Sequence, residues 1–306
     1  MTAYILSFLI GCAVGSFLNV VIDRVNPEHE DSAWSLVQGR SHCDKCKKTL
    51  QWFELIPIVS FFMQAGKCRS CGARLSRHYP VVEFITGAAF TLIWWRVTEL
   101  LPFHMPNLAM IPQIWVLGFI LCWWVIVGLG ILISAYDIKY YLIPNTLLVA
   151  LIVSACITQA YAFIARAIFS GFPDAGLMFT GNLVYMFGME RMAFMRIIWG
   201  LVCGLALIGG AFVFSRGKGM GFGDVLIAAA FGVLFGWPDI MVVLFVAFVS
   251  GTLVSIGLLA MRKKDMKSMV PFGPFLIFGA LTTMLVGDIL IAGYVRVFPI
   301  LLTYSI

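Results

Sequence analysis

The chain has 306 residues, 61% of them hydrophobic and 12% charged, with a mean hydropathy of +0.97 and a formal net charge of +6. That balance excludes an ordinary soluble globule. Apolar runs of 18 or more residues recur along it, the pattern of membrane-spanning helices rather than of a buried core.

In chain order, spans are expected at 3–22, 80–101, 113–135, 145–165, 196–215, 224–237, 239–260 and 272–292, eight in all. The first run, Tyr4 to Val21, lacks a basic leader and a small-x-small cleavage site before Asp23 and Arg24, so it reads as a retained span. The split at Trp237-Pro238-Asp239 marks two segments or one kinked helix, because Pro interrupts a helix yet is tolerated in some. Phe169 to Arg196 is rich in Gly, Met and aromatics. It reads as an external connector on the membrane surface, with an interfacial helix over Val184 to Met195. The expected class is therefore an all-α polytopic membrane protein of about eight transmembrane helices, with a small polar domain inserted after the first.

That polar insert, 23–79, contains two CxxC knuckles, Cys43 with Cys46 and Cys68 with Cys71, separated by 21 residues. Each knuckle presents two thiolates on one tight turn, and two knuckles complete a tetrahedral four-cysteine zinc site. Four Cys ligands leave no open position for water, so a structural zinc is expected rather than a catalytic one. The alternatives are two disulfides, disfavoured in a reducing compartment, or unligated thiols. Cys12, Cys122, Cys156 and Cys203 lie within spans, where a small apolar side chain suffices.

Charge placement sets the expected orientation. With the insert in the cytoplasm, 16 of the 21 Lys and Arg residues fall on that side, leaving Arg96, Arg166, Arg191, Arg196 and Arg296 outside. The N-terminus is then periplasmic and the zinc domain cytoplasmic. The positive net charge reflects this topology. No basic stripe with interleaved aromatics points to nucleic acid. Glu28, Glu30 and Asp31 form a small acidic cluster, either a solvated loop or a docking surface for a basic segment of a substrate.

Two carboxylates stand at span borders. Asp137 ends the third span, and Asp224 begins the sixth in the run Gly219-Met220-Gly221-Phe222-Gly223-Asp224. An ionisable residue there is costly and so points to function. Helix parity puts both at one membrane depth, on the cytoplasmic side. Like charges a few ångströms apart do not both ionise, so such a pair shares a proton. The ionised partner then activates water while the protonated one donates to a scissile carbonyl. For Asp224 alone the competing reading is a helix cap. Pairing and the glycines at Gly221 and Gly223, which let a backbone approach closely, favour the dyad. Glu83 is a supporting or substrate-contacting acid, or an interfacial helix-start acid, whereas Asp239 and Asp288 on the outer side read as solvated ends.

Several blocks now carry a resemblance. They are Gly15-Ser16-Phe17-Leu18-Asn19-Val20-Val21-Ile22-Asp23-Arg24, the cysteine knuckles with Ile56-Pro57 and Gly66-Lys67, and Tyr79-Pro80-Val81-Val82-Glu83. Asp137 with Ile143-Pro144, Gly221-Phe222-Gly223-Asp224 and Pro271-Phe272-Gly273-Pro274 follow in order. Over nearly its full length the chain resembles the type IV prepilin peptidases, GxGD-type aspartic proteases of bacterial inner membranes. The resemblance implies cleavage of the basic leader from type IV prepilins or type II secretion pseudopilins, on the cytoplasmic side. It also implies N-methylation of the new terminus with S-adenosylmethionine, for which Gly66 and Lys67 are candidates. The parts are then 1–22 as first span, 23–79 as zinc-binding and methyl-transfer domain, and 80–306 as peptidase domain. Leu226 and Asn145 depart from the family, which often has Lys and Asp there. The rival readings are an ion-coupled secondary transporter, which calls for symmetric halves and midplane carboxylates, and an inactive assembly factor of the same fold.

Overall fold

The computed structural model describes residues 1–24, 40–43, 45–100, 111–169, 192–217, 219–261 and 270–297. Among these residues, regular structure is helical apart from two isolated bridges, His42 with Thr49 and Lys67 with Arg74. Among the described residues, seven helices are long and apolar enough to cross a membrane, and an eighth apolar helix is shorter. The expected all-α polytopic class is therefore observed, with the short helix accounting for the eighth segment. The chain forms two compact units, Met1–Trp95 and Arg96–Ile306.

The first unit contains α1 (Thr2–Arg24), a short α2 (Val59–Met63) and α3 (His78–Trp95). Helices α1 and α3 pack face to face, and Gly15 makes this possible. A Cβ built there would lie 2.7 Å from the Glu83 Cα, so any side chain would separate the helices. Asn19 Nδ2 donates to the Tyr79 carbonyl at 3.0 Å, and the Tyr79 hydroxyl donates to Asp23 at 2.8 Å. These bonds tie the end of α1 to the start of α3.

The second unit contains α4 (Gln113–Tyr140), α5 (Asn145–Ile168), α6 (Ala193–Phe214), α7 (Phe222–Phe235), α8 (Asp239–Ala260) and α9 (Gly273–Val297). Pro144 precedes α5, where a missing N–H costs nothing. Residues 184–191 of the expected interfacial helix over Val184 to Met195 lie outside the described residues. Its last three residues, Ala193 to Met195, belong to α6 itself.

Helix α7 is the centre of this unit. Its 14 residues rise only about 21 Å, short of a bilayer's hydrocarbon thickness of about 30 Å. Ten of the 14 are buried, against α5, α6 and α9. The run Ala228-Ala229-Ala230 keeps its surface flat, and Gly204 of α6 comes close enough that a Cβ would sit 2.7 Å from the Ala228 carbonyl oxygen.

A helix that stops this early leaves carbonyls needing donors. Gln159 Nε2 supplies the Val233 and Leu234 oxygens at 2.8 and 2.7 Å. Arg196 Nε donates to the Trp237 carbonyl at 3.1 Å, and its NH2 group pairs with Asp239 at 3.2 Å.

That pair corrects an expectation. Asp239 is not a solvated end; it is fully buried at 0% exposure, with Arg196 at 3%. Asp288 likewise pairs with the buried Arg96 at 3.2 Å. Neither arginine behaves as a solvated flanking charge. Truncating Arg196 to Ala breaks its ion pair with the buried Asp239, a loss of about 3–5 kcal/mol. Thermal unfolding of the detergent-solubilised protein is expected to show a markedly lower midpoint for Arg196→Ala, with Lys an incomplete substitute because its single nitrogen cannot stand in for both guanidinium nitrogens, Nε at Trp237 and NH2 at Asp239.

Candidate functional site

Asp137 stands in the last turn of α4. The Asp137 carbonyl accepts the Tyr141 N–H at 2.9 Å, and Tyr141 closes the helix in the left-handed region at φ 55°. The chain then turns through Ile143-Pro144 into α5.

Asp224 is the third residue of α7. Its Oδ2 accepts the Gly221 N–H at 3.2 Å, so the carboxylate does help close the helix start. That contact occupies one oxygen only. The other, Oδ1, faces Gly273 at the start of α9. A Cβ built on Gly273 would lie 3.5 Å from Asp224 Oδ1 and 2.7 Å from Asp137 Oδ2. The Gly273 backbone N–H also hydrogen-bonds the Asp137 carboxylate. Three helix ends therefore meet at one side-chain-free point, with both carboxylates buried at 6% exposure.

The two glycines singled out in the sequence have different surroundings. Gly221 is exposed, and a Cβ there would first meet Asp224 Oδ2 at 3.7 Å. Gly223 instead receives Ile143, whose Cδ1 would sit 3.2 Å from such a Cβ. The same methyl group reaches to 3.5 Å of the Gly273 position. Ile143 therefore wedges between the start of α7 and the start of α9. Sequence reasoning noted the Ile-Pro and Pro-Phe-Gly-Pro blocks but not these contacts. Leu226 is half-buried and Asn145 exposed.

In the first unit the four expected cysteines come together. Their Sγ atoms all lie within 4.8 Å of one another, with Cys43 and Cys68 buried and Cys46 and Cys71 exposed. The Cys43 and Cys71 sulfurs are 3.9 Å apart. Tetrahedral ligation at about 2.3 Å from the metal needs sulfurs roughly 3.8 Å apart, so the cluster fits a zinc ion. The two knuckles share one backbone plan. Cys43 N–H donates to Lys48 and Cys68 N–H to Ala73, at 3.0 and 2.8 Å. The residue after each second cysteine, Lys47 or Gly72, has φ of 56° or 68°. Backbone N–H groups of Cys71 and Ser70 lower the Cys68 thiol to about 7, whereas at Cys71 the Ala73 N–H is outweighed by burial and the neighbouring sulfurs, which raise it to about 11; Cys68 is thus the readier thiolate of the two.

Glu83 is buried in α3 and accepts the Ile58 N–H at 2.6 Å. Gly66 takes φ 67° behind Phe61, and Lys67 pairs with Arg74 across the second knuckle. Glu28, Glu30 and Asp31 lie outside the described residues.

Comparison with known proteins follows this geometry. Residues 9–97 match the model of the bacterial peptidase A24 N-terminal domain, and residues 119–256 match that of the type IV leader peptidase family. The chain belongs to the type IV leader peptidase family. Similar proteins include the prepilin leader peptidase/N-methyltransferase of Aeromonas hydrophila, 27% identical over 96% of this chain and 94% of that one. The proteins of the same name from Pseudomonas aeruginosa and Bacillus subtilis are 25% and 27% identical. The first covers 95% of this chain and 92% of its own length, the second 94% and 96%. No solved structure matches. The family is one of multi-pass membrane proteases, in agreement with the seven long apolar helices.

The four-cysteine cluster generates its own test. Metal analysis of the purified chain is expected to find a single zinc ion, absent from Cys43→Ser and Cys68→Ser. Because protons compete with metal for thiolates, zinc is expected to be retained at neutral pH and released on acidification. A chain free of zinc at neutral pH would contradict the assignment.

Proposed function

We propose that the protein cleaves the leader from prepilin-like substrates with Asp137 and Asp224 as its acid/base pair. The observation that carries this reading is the meeting of both carboxylates at Gly273. One aspartate, ionised, takes a proton from water; the other, protonated, donates to the scissile carbonyl oxygen. The water oxygen adds to the carbonyl carbon, the C–N bond breaks, and the leaving amine takes up a proton. The substrate class rests on the relatives' names, which are those of prepilin leader peptidases.

A membrane-border site suits such substrates. A pilin helix stays in the bilayer while its polar leader remains in water, and only the junction enters. Lys and Arg placement supports a cytoplasmic site, with the N-terminus periplasmic and the zinc-binding insert cytoplasmic. Gly221, exposed beside Asp224, leaves room for an extended backbone. Gly223 supports the site by admitting Ile143. The acidic residues Glu28, Glu30 and Asp31 attract the basic leader and speed encounter.

The second activity is N-methylation of the new terminus with S-adenosylmethionine, as the relatives' names include an N-methyltransferase. It belongs to the part around 23–79, where zinc serves as a structural staple, while 1–22 is a span and 80–306 carries the peptidase.

A cleavage assay with a prepilin tests the peptidase reading. Asp137→Asn and Asp224→Asn are each expected to lose at least about 10³-fold in rate while remaining folded. Either variant processing at the wild-type rate would falsify the pair. In the same assay, neutralising Glu28, Glu30 and Asp31 together is expected to slow cleavage at low salt and little at high salt. Equal slowing at every ionic strength would remove the docking role.

A further inference from the structure

A cavity of about 760 Å³ opens among α1, α3 and the two cysteine knuckles of the first unit. That size falls in the range of small-molecule sites, about 300–1,000 Å³. Two features of its wall go beyond what holding the helices together requires.

The first is Asn19. Its Nδ2 is used by the Tyr79 carbonyl, but its Oδ1 is buried and has no hydrogen-bond partner among the described residues. A buried acceptor without a donor is costly, and a ligand donor is one way to offset it.

The second is Glu83, also in the wall and 8% exposed. The amide that anchors it belongs to Ile58, a β-branched residue held at φ 62° and ψ −54°. Such a conformation is strained for isoleucine, and strain of this kind gathers at ligand clamps. Asp23 adds a second carboxylate, while Lys45 and Arg74 supply positive charge and Phe61 a flat apolar surface. The wall thus offers acceptors for a cation, basic groups for a carboxylate, and a ring to stack on.

We propose that this cavity seats the methyl donor, S-adenosylmethionine. Glu83 and Asn19 accept from its α-ammonium group, Arg74 and Lys45 hold its carboxylate, and Phe61 its base. The inference rests on the methyl-transfer reading above and supplies the location that reading lacks. When bound, the donor supplies one methyl group. The S–CH₃ bond breaks with its electrons left on sulfur, the neutral pilin amine forms the N–CH₃ bond, and the amine's surplus proton passes to water.

Gly66 and Lys67 do not line the cavity. They act through it at one remove. A Cβ on Gly66 would press the Phe61 ring at 3.2 Å, and Lys67 pairs with Arg74. This accounts for sequence blocks that the peptidase site leaves unused.

The test uses the full chain in detergent. Ultraviolet crosslinking of radiolabelled S-adenosylmethionine, mapped by mass spectrometry, is expected to label peptides within 16–24 and 54–83. Calorimetry with S-adenosylhomocysteine is expected to show at least tenfold weaker binding for Glu83→Gln and for Asn19→Leu. Zinc content and unfolding midpoint report whether each variant is folded. Label confined to 111–297, or unchanged affinity in both variants, overturns the pocket while leaving methyl transfer standing. A wild-type chain that neither binds the donor nor methylates overturns both.

Discussion

A 14-residue helix set among membrane spans cannot reach both surfaces, so its backbone ends must be satisfied by protein rather than water. Much of the second unit answers that requirement. At the far end, Gln159 donates to the last carbonyls and Arg196 holds the following turn together with Asp239. At the near end, Asp224 accepts the Gly221 N–H and presents its second oxygen to Gly273. The feature that closes the helix also delivers a carboxylate to a buried point.

This explains why the two readings of Asp224, helix cap and reacting group, are not in competition. A carboxylate has two oxygens and about four acceptor sites. One oxygen fixes the side chain on the helix start, and the other is left for Asp137, substrate or water. Rigid placement by a structural bond is what an acid/base pair needs, since misplacement by about 1 Å can cost about 10²-fold in rate. Ile143 adds to this by filling the notch at Gly223 and touching the Gly273 position. The Ile-Pro turn therefore serves geometry, and the proposed chemistry falls to the aspartates.

Much of this was legible in the residues. Long apolar runs announce spans because lipid demands them, and paired CxxC knuckles announce a metal site because four thiolates need little else. Asp137 and Asp224 stand out as charges in apolar surroundings, and helix parity places them on one side. What could not be read was contact between distant segments. The Pro271-Phe272-Gly273-Pro274 block stood out, but the position of Gly273 between the carboxylates emerges only in three dimensions. Asp239 looked like a solvated end because it falls at the outer border of a span. Its burial depends on Arg196, 43 residues away. Asn19 and Glu83 stand in separate sequence blocks, and the cavity that both line emerges only in three dimensions.

The central claim is that catalysis depends on the side-chain-free space at Gly273 where the two carboxylates meet. The most direct measurement is the prepilin cleavage rate of Gly273→Ala, with zinc content and unfolding midpoint recorded on the same sample. A methyl group there would sit 2.7 Å from Asp137 Oδ2 and force that carboxylate aside. The account predicts a loss of about 10²-fold in rate with the fold and zinc retained. Cleavage at the wild-type rate by a folded Gly273→Ala protein would contradict it.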